Sequence, residues 1–224
     1  MTKRARARKQ TETRQTNWVL IGGVIAVGVI ALFALLFFSL QGPEQVTLAG
    51  YCADNPDNCV SRGEASAPVT IVEISDFGCS HCRDFHAETF SPLQQQYVET
   101  GQVQWVALPY ALSATTLPAS NAAMCANEQD AYFAFGEALF AQQGQAIALT
   151  RDGFVQAAEQ VGLEMEPFLQ CVEEGRYNAV INDNVTAARE NRVSATPTFF
   201  IEDRILEGAY PLSVFQQRIE TALN

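Results

Sequence analysis

Hydrophobic positions fall into three patterns along the chain, and each predicts a different kind of element. Residues 18–40 run 23 positions without a charge, which at about 1.5 Å per residue can cross a hydrocarbon core of roughly 30 Å and predicts a transmembrane helix. Residues 69–74 (Val-Thr-Ile-Val-Glu-Ile) and 102–108 (Gln-Val-Gln-Trp-Val-Ala-Leu) are short runs rich in β-branched and apolar side chains, as buried strands are. Between them Phe85, Thr89 and Leu93, with Phe90 and Tyr97, recur at helical spacing. Ser91 can cap and Pro92 can begin a second stretch, so a kink or restart is expected there. A helix joining two strands makes them parallel neighbours in a right-handed βαβ unit.

Residues 116–191 carry apolar stripes at spacings of three and four, among them Tyr132, Phe133, Gly136, Leu139 and Phe140, and predict helices. Residues 198–201 and 204–207 can pair around Glu202-Asp203, and Leu212, Phe215, Ile219 and Leu223 mark a last helix. Residues 41–63 hold Gly42-Pro43, Asn55-Pro56-Asp57-Asn58 and Arg62-Gly63 with little periodicity, and read as a stalk. The expected organisation is a head over 1–17, a span over 18–40, a stalk over 41–63 and one domain over 64–224. That domain is α/β and contains a helical insertion near 112–191. The chain's 224 residues suit one core.

Charge gives this layout an orientation. The net value of −11 conceals a basic head, Lys3, Arg4, Arg6, Arg8, Lys9 and Arg14 against Glu12, followed by a body with eight Arg, no Lys and 24 acids. Basic flanks stay on the cytoplasmic side of a span, so the N-terminus is expected inside and residues 41–224 in the periplasmic or cell-envelope space. A cleaved signal peptide would have an apolar region of about 7 to 15 residues and a small-x-small site, which residues 38–42 do not supply. Leu48-Ala49-Gly50-Tyr51-Cys52 resembles a lipoprotein processing signal, but Tyr51 separates Gly50 from the cysteine. The acidic body argues against nucleic acid.

Six cysteines outside the membrane suit structural bridges plus a catalytic pair. Cys79-Ser80-His81-Cys82 begins where a strand ends and a helix starts, beside unsatisfied N–H groups that stabilise a thiolate at Cys79. The helix dipole supplies about 0.3–2 kcal/mol. His81, between the cysteines, is the obvious further donor, and a stabilised Cys79 thiolate makes the Cys79–Cys82 disulfide a ready acceptor of electrons. The same spacing serves half of a zinc site or a plain bridge, but His86 is the only other histidine and there is no second CxxC. No metal is expected, and no cofactor beyond the redox-active disulfide.

Residues 67–82 (Ala-Pro-Val-Thr-Ile-Val-Glu-Ile-Ser-Asp-Phe-Gly-Cys-Ser-His-Cys) resemble the active-site segment of the DsbA family of thioredoxin-fold disulfide oxidoreductases. Residues 195–201 (Ala-Thr-Pro-Thr-Phe-Phe-Ile) are similar to the family's second motif. The resemblance covers about 64–222 and implies a thioredoxin-like fold with a helical insertion. It implies a cis Pro197 against the disulfide, with the Thr196 backbone free to pair with an extended peptide; a trans Pro197 starting an edge strand is the alternative. It also implies a proton relay from a buried Glu73 to Cys82. An unpaired acid in a buried strand would have its pKa raised, whereas an outward-facing Glu73 would not. Ser80 and Thr196 depart from the Pro and Val of the best-known periplasmic oxidases, which puts the redox potential in doubt.

Related membrane-anchored proteins often bridge a pair such as Cys125 and Cys171, so a structural disulfide is implied there, with a second redox pair as the alternative. Cys52 and Cys59 bracket a turn short enough to close on itself, as a structural staple or a redox-active pair. Met124, Tyr132, Phe133, Phe135 and Phe140 could line a peptide groove, but at helical spacing they are expected in the core. The leading function is oxidation of thiols in secreted or membrane proteins by a monomer. Reoxidation would come from a DsbB-like or vitamin-K-epoxide-reductase-like quinone partner. The alternatives are a disulfide isomerase or reductase, and a chaperone or binding module whose cysteines are only structural.

Overall fold

Strand formation follows the β-branched runs. In the computed structural model, which describes residues 18–40 and 46–224, the elements are α1 (Trp18–Leu40), α2 (Leu48–Asp54), β1 (Val60–Arg62), β2 (Val69–Ser75), α3 (Ser80–Phe85), α4 (Ser91–Leu93), β3 (Val103–Pro109), α5 (Leu117–Asn127), α6 (Tyr132–Ala141), α7 (Arg151–Val161), α8 (Met165–Glu174), α9 (Asn178–Glu190), β4 (Thr198–Ile201), β5 (Arg204–Glu207) and α10 (Leu212–Leu223). The five strands form one sheet in the order β1-β3-β2-β4-β5. β2 and β3 are parallel, and the other pairs are antiparallel. Val69, Ile71, Val72 and Ile74 are all fully buried, as a central strand covered on both faces requires. Helices α5–α9 lie in sequence between β3 and β4. This is a thioredoxin-like α/β fold with a helical insertion.

The helix after Cys79 does not restart at Pro92. Phe90, Ser91, Leu93 and Gln94 all keep right-handed helical angles. Two wider turns, His86–Phe90 and Gln94–Val98, flank Pro92 instead, since the missing Pro N–H can be absorbed by local i→i+5 bonding rather than by a break. Ser91 is therefore helical and not a cap.

Residues 48–62 are a second departure from the expected stalk. Val46–Asn224 form one compact unit, in which Leu48 and Cys52 are buried and β1 pairs with β3 from Val60↔Ala107 to Arg62↔Trp105. The turn formers at 55–58 are real, but they connect a short helix to an edge strand. Asn184 fixes that connection, donating to the carbonyls of Asn58 at 2.8 Å and Pro109 at 3.0 Å and accepting from the Tyr51 hydroxyl at 2.9 Å.

α1 belongs to a separate unit. Its backbone is helical over 23 residues, with side chains described for Trp18 and residues 21–37. Among the described residues no helix is long and apolar enough to cross a membrane. The expected transmembrane helix is therefore not shown. The basic head, residues 1–17, and residues 41–45 of the expected stalk lie outside the described residues.

Candidate active site

The end of β2 and the start of α3 build a loop around Cys79. Asp76, fully buried, accepts from the Gly78 N–H at 2.7 Å through one carboxylate oxygen and from the Leu112 N–H at 2.7 Å through the other. Its carbonyl accepts from the Cys79 N–H at 3.0 Å. Gly78 passes so close to the start of α5 that an added Cβ would sit 2.7 Å from the Thr116 methyl. From α6's end, the Gln143 amide donates to the carbonyls of Phe77 at 2.7 Å and Cys79 at 3.1 Å. The loop is thus fixed from β2 and from the insertion.

Cys79 takes the N-cap position of α3 with extended backbone angles, which leaves its sulfur at the free N–H groups of the first turn. Cys79 is partly exposed and Cys82 buried, both as free thiols. The hydrogen bond from Cys82 holds the Cys79 thiol down to about 5, helped by the backbone N–H groups of Cys82 and His81 against the opposing effect of burial. Burial pushes the Cys82 thiol up, and its bond to the Cys79 sulfur adds to this. The two cysteines are therefore unlike, one an accessible thiolate and the other a buried thiol.

Thr196 and Pro197 lie against this pair. The Thr196–Pro197 peptide is cis, and the Thr196 carbonyl is 3.3 Å from the Cys79 sulfur, close enough to accept from it when protonated. The Thr196 hydroxyl is buried without a hydrogen-bond partner of normal geometry among the described residues, yet it faces both sulfurs closely enough to favour their ionised forms. His81 is exposed. It reaches Cys79 through its backbone N–H, and no hydrogen bond joins its imidazole to either sulfur among the described residues. The donor expected from the side chain comes from the main chain instead.

Glu73 is buried, 3 % exposed, but it is not unpaired. His86 Nε2 donates to Glu73 Oε1 at 2.7 Å, Ser75 donates to the same oxygen, and Trp105 Nε1 donates to Oε2 at 2.8 Å. Burial favours the neutral acid, but the His86 charge and these three donors outweigh it and hold Glu73 below the ordinary carboxylate range. A raised pKa, expected for an unpaired acid, is thereby corrected. Burial likewise opposes charge on His86, yet Glu73 and the bond to Glu137 raise it to about 9.

Cys125 and Cys171 are joined between α5 and α8, and Cys52 and Cys59 are joined across the α2–β1 connection. All four are buried. Met124, Tyr132, Phe133, Phe135 and Phe140 lie in the main core, and Tyr132, Phe133 and Phe140 wall a cavity of about 20 Å³ whose polar end is Glu73, Ser75 and His86.

The profile of the thioredoxin family matches residues 55–221. The chain belongs to the thioredoxin family. Within it, alpha-DsbA1 of Wolbachia pipientis superposes with a TM-score of 0.66 at 25 % identity, covering 74 % of this chain and 91 % of that one. Disulfide bond formation protein D of Bacillus subtilis is 21 % identical over 171 residues, 72 % of this chain and 75 % of its own. A Na(+)/H(+) antiporter NhaA 1 of Salinispora arenicola is 29 % identical over 169 residues, 75 % of this chain. The chain spans a quarter of that antiporter's length. The thioredoxin-fold domain here is DsbA-like.

His86, Trp105, Glu137, Gln143 and Asp76 were not among the residues the sequence pointed to. His86 was open to discovery, since it follows Cys82 by one helical turn. Trp105 was not. It reaches Glu73 because Glu73 pairs with Ala107 and Trp105 lies two positions earlier on the same face, a register that only the folded sheet reveals.

Proposed function

We propose that the chain is an extracytoplasmic protein thiol-disulfide oxidoreductase that introduces disulfides into secreted or membrane proteins. The observation that carries this reading is the asymmetry of the pair: Cys79 is accessible and held as a thiolate while Cys82 is buried and held as a thiol. With the pair oxidised, a substrate thiolate attacks the Cys79 sulfur, the Cys79–Cys82 bond breaks and Cys82 leaves. A second substrate thiolate then attacks the substrate sulfur of the mixed disulfide and releases Cys79, a good leaving group at about 5. Two electrons pass from substrate to the pair, and no cofactor beyond the disulfide takes part. Thr196 and Pro197 receive the extended substrate, and Glu73 and the His81 backbone act on the thiols. The two buried disulfides are structural.

Residues 18–40 anchor this domain as a single span with the N-terminus inside, a reading supported by 23 uncharged helical residues behind a basic head. Tethering raises the domain's effective concentration near a quinone-linked membrane thiol oxidase, DsbB-like or vitamin-K-epoxide-reductase-like, that reoxidises it. The domain acts as a monomer.

A Cys82→Ala variant is expected to accumulate mixed disulfides with reduced secreted proteins through Cys79. A folded variant giving no Cys79-dependent, reductant-sensitive adducts would sink the reading. The isomerase or reductase alternative rests on Thr196 before Pro197. A reduction potential near or below about −270 mV would favour it over oxidation. A module with purely structural cysteines is disfavoured by the exposure of an unbridged Cys79.

A further inference from the structure

Both ring nitrogens of His86 face carboxylate oxygens, Nε2 to Glu73 and Nδ1 to Glu137, each at 2.7 Å. Two such contacts require a proton in each. A neutral imidazole has only one N–H, so either His86 is an imidazolium or one acid is protonated. The surroundings of Glu73 decide between these. It already receives donors from His86, Ser75 and Trp105, and a protonated Glu73 would replace an accepting oxygen by a donor facing donors. A protonated Glu137 would also fill both contacts, but Glu137 is half-exposed and imidazole is a stronger base than a carboxylate, so the arrangement is Glu73 carboxylate, His86 imidazolium and Glu137 carboxylate.

The three residues form a graded line from core to water, with side-chain exposures of 3 % for Glu73, 8 % for His86 and 45 % for Glu137. The charged groups around them are few. Glu137 comes from α6, with Arg62 of β1 in electrostatic reach of it. Tyr132 of α6 feels the charge of Glu73, and Cys82 lies one helical turn before His86, whose N–H donates to the Cys82 and Arg83 carbonyls. Side chains one turn apart have Cβ atoms about 5–6 Å from each other, which sets the His86 Cβ at about that distance from the Cys82 Cβ, while the ring is turned to the two carboxylates.

We infer that His86 and Glu137 are positioning residues for the thiol chemistry: they lock Glu73 as a permanent carboxylate, so that the buried acid takes up no proton when the Cys79–Cys82 pair is reduced. This deepens the oxidoreductase reading and rests on it. Reduction of the pair then consumes one proton per two electrons near neutral pH, taken by Cys82, while Cys79 remains a thiolate. Without the imidazolium, Glu73 would be a desolvated acid whose protonation responds to the new negative charge on Cys79.

The test measures the full-length chain in detergent, equilibrated with glutathione at pH 6 to 8, and takes the proton count from the pH dependence of the equilibrium. Wild type is expected to take up one proton, His86→Gln more than one, and Glu73→Gln combined with His86→Gln one again. A packing role alone would not be rescued by that second substitution. A folded His86→Gln variant that still takes up one proton overturns the inference. Should His86→Gln fail to fold, Glu137→Gln at the surface decides. The chain has only two histidines, so imidazole NMR resolves His86, and its titration midpoint should fall by at least one pH unit. An unmoved midpoint overturns the inference. Absence of any reversible Cys79–Cys82 couple in wild type would remove the oxidoreductase reading instead, and the His86 midpoint would be judged separately.

Discussion

Two thiols three positions apart differ because one caps a helix in the open and the other is enclosed behind it. Alkylation of Cys79 in the reduced protein should therefore fall with acid around a midpoint of about 5, and Cys82→Ala should raise that midpoint by removing its main donor. Thiolate stabilisation of the reduced form is present above the ordinary thiol range and is lost as pH drops through about 5. The Glu73–His86 pair gives a second pH signature. The lowered Glu73 contributes stability that disappears as pH falls below its ordinary range, and the raised His86 contributes stability that is complete below about 6.5 and lost as pH climbs through about 9. Denaturant midpoints should peak between those limits. His86→Ala, leaving a buried carboxylate without its cation, should cost about 3–5 kcal/mol by chemical denaturation. The sequence exposed Glu73 as an anomaly in an apolar run, but not its partners, since His86 arrives from the following helix and Trp105 from a neighbouring strand, with Glu137 of the insertion bonded in turn to His86. The imidazole of His81 shows the opposite failure, a residue in the right place whose side chain turns to solvent.

At the scale of elements, the motif loop depends on α6 as much as on β2. Gln143→Ala leaves the Phe77 and Cys79 carbonyls without their donor and should destabilise the domain by about 1–3 kcal/mol, while slowing reaction at Cys79 more than a distant surface change does. The disulfides should differ in weight. Closing 46 residues, Cys125–Cys171 contributes about 4 kcal/mol by loop entropy, and closing 7 residues, Cys52–Cys59 contributes about 2.4 kcal/mol. Paired Cys→Ala substitutions measured by urea unfolding would check that ranking. Most strands and helices could be read from periodicity because their apolar spacing is strong. Residues 48–62 could not, since a seven-residue helix and a three-residue edge strand bury too few side chains to stand out from a linker.

For the whole molecule, the proposed anchor predicts that the full-length chain stays with membranes after alkaline carbonate washing, and recovery in the soluble fraction would refute it. The thioredoxin-like layout was legible from two motifs over 100 residues apart, because both are needed at one sulfur. The sheet order was not, since β1 joins from the N-terminal side. That order ends in strands of three and four residues, β5 bearing Arg204 and Glu207 at its tips. The activity proposed above would set the protein among unfinished chains with loose strands seeking a partner, and abbreviated, charged borders offer them little to zip onto. Under the proposed function, clients would be held for a bond exchange at Thr196 and then let go, without the handler being drawn into their aggregates.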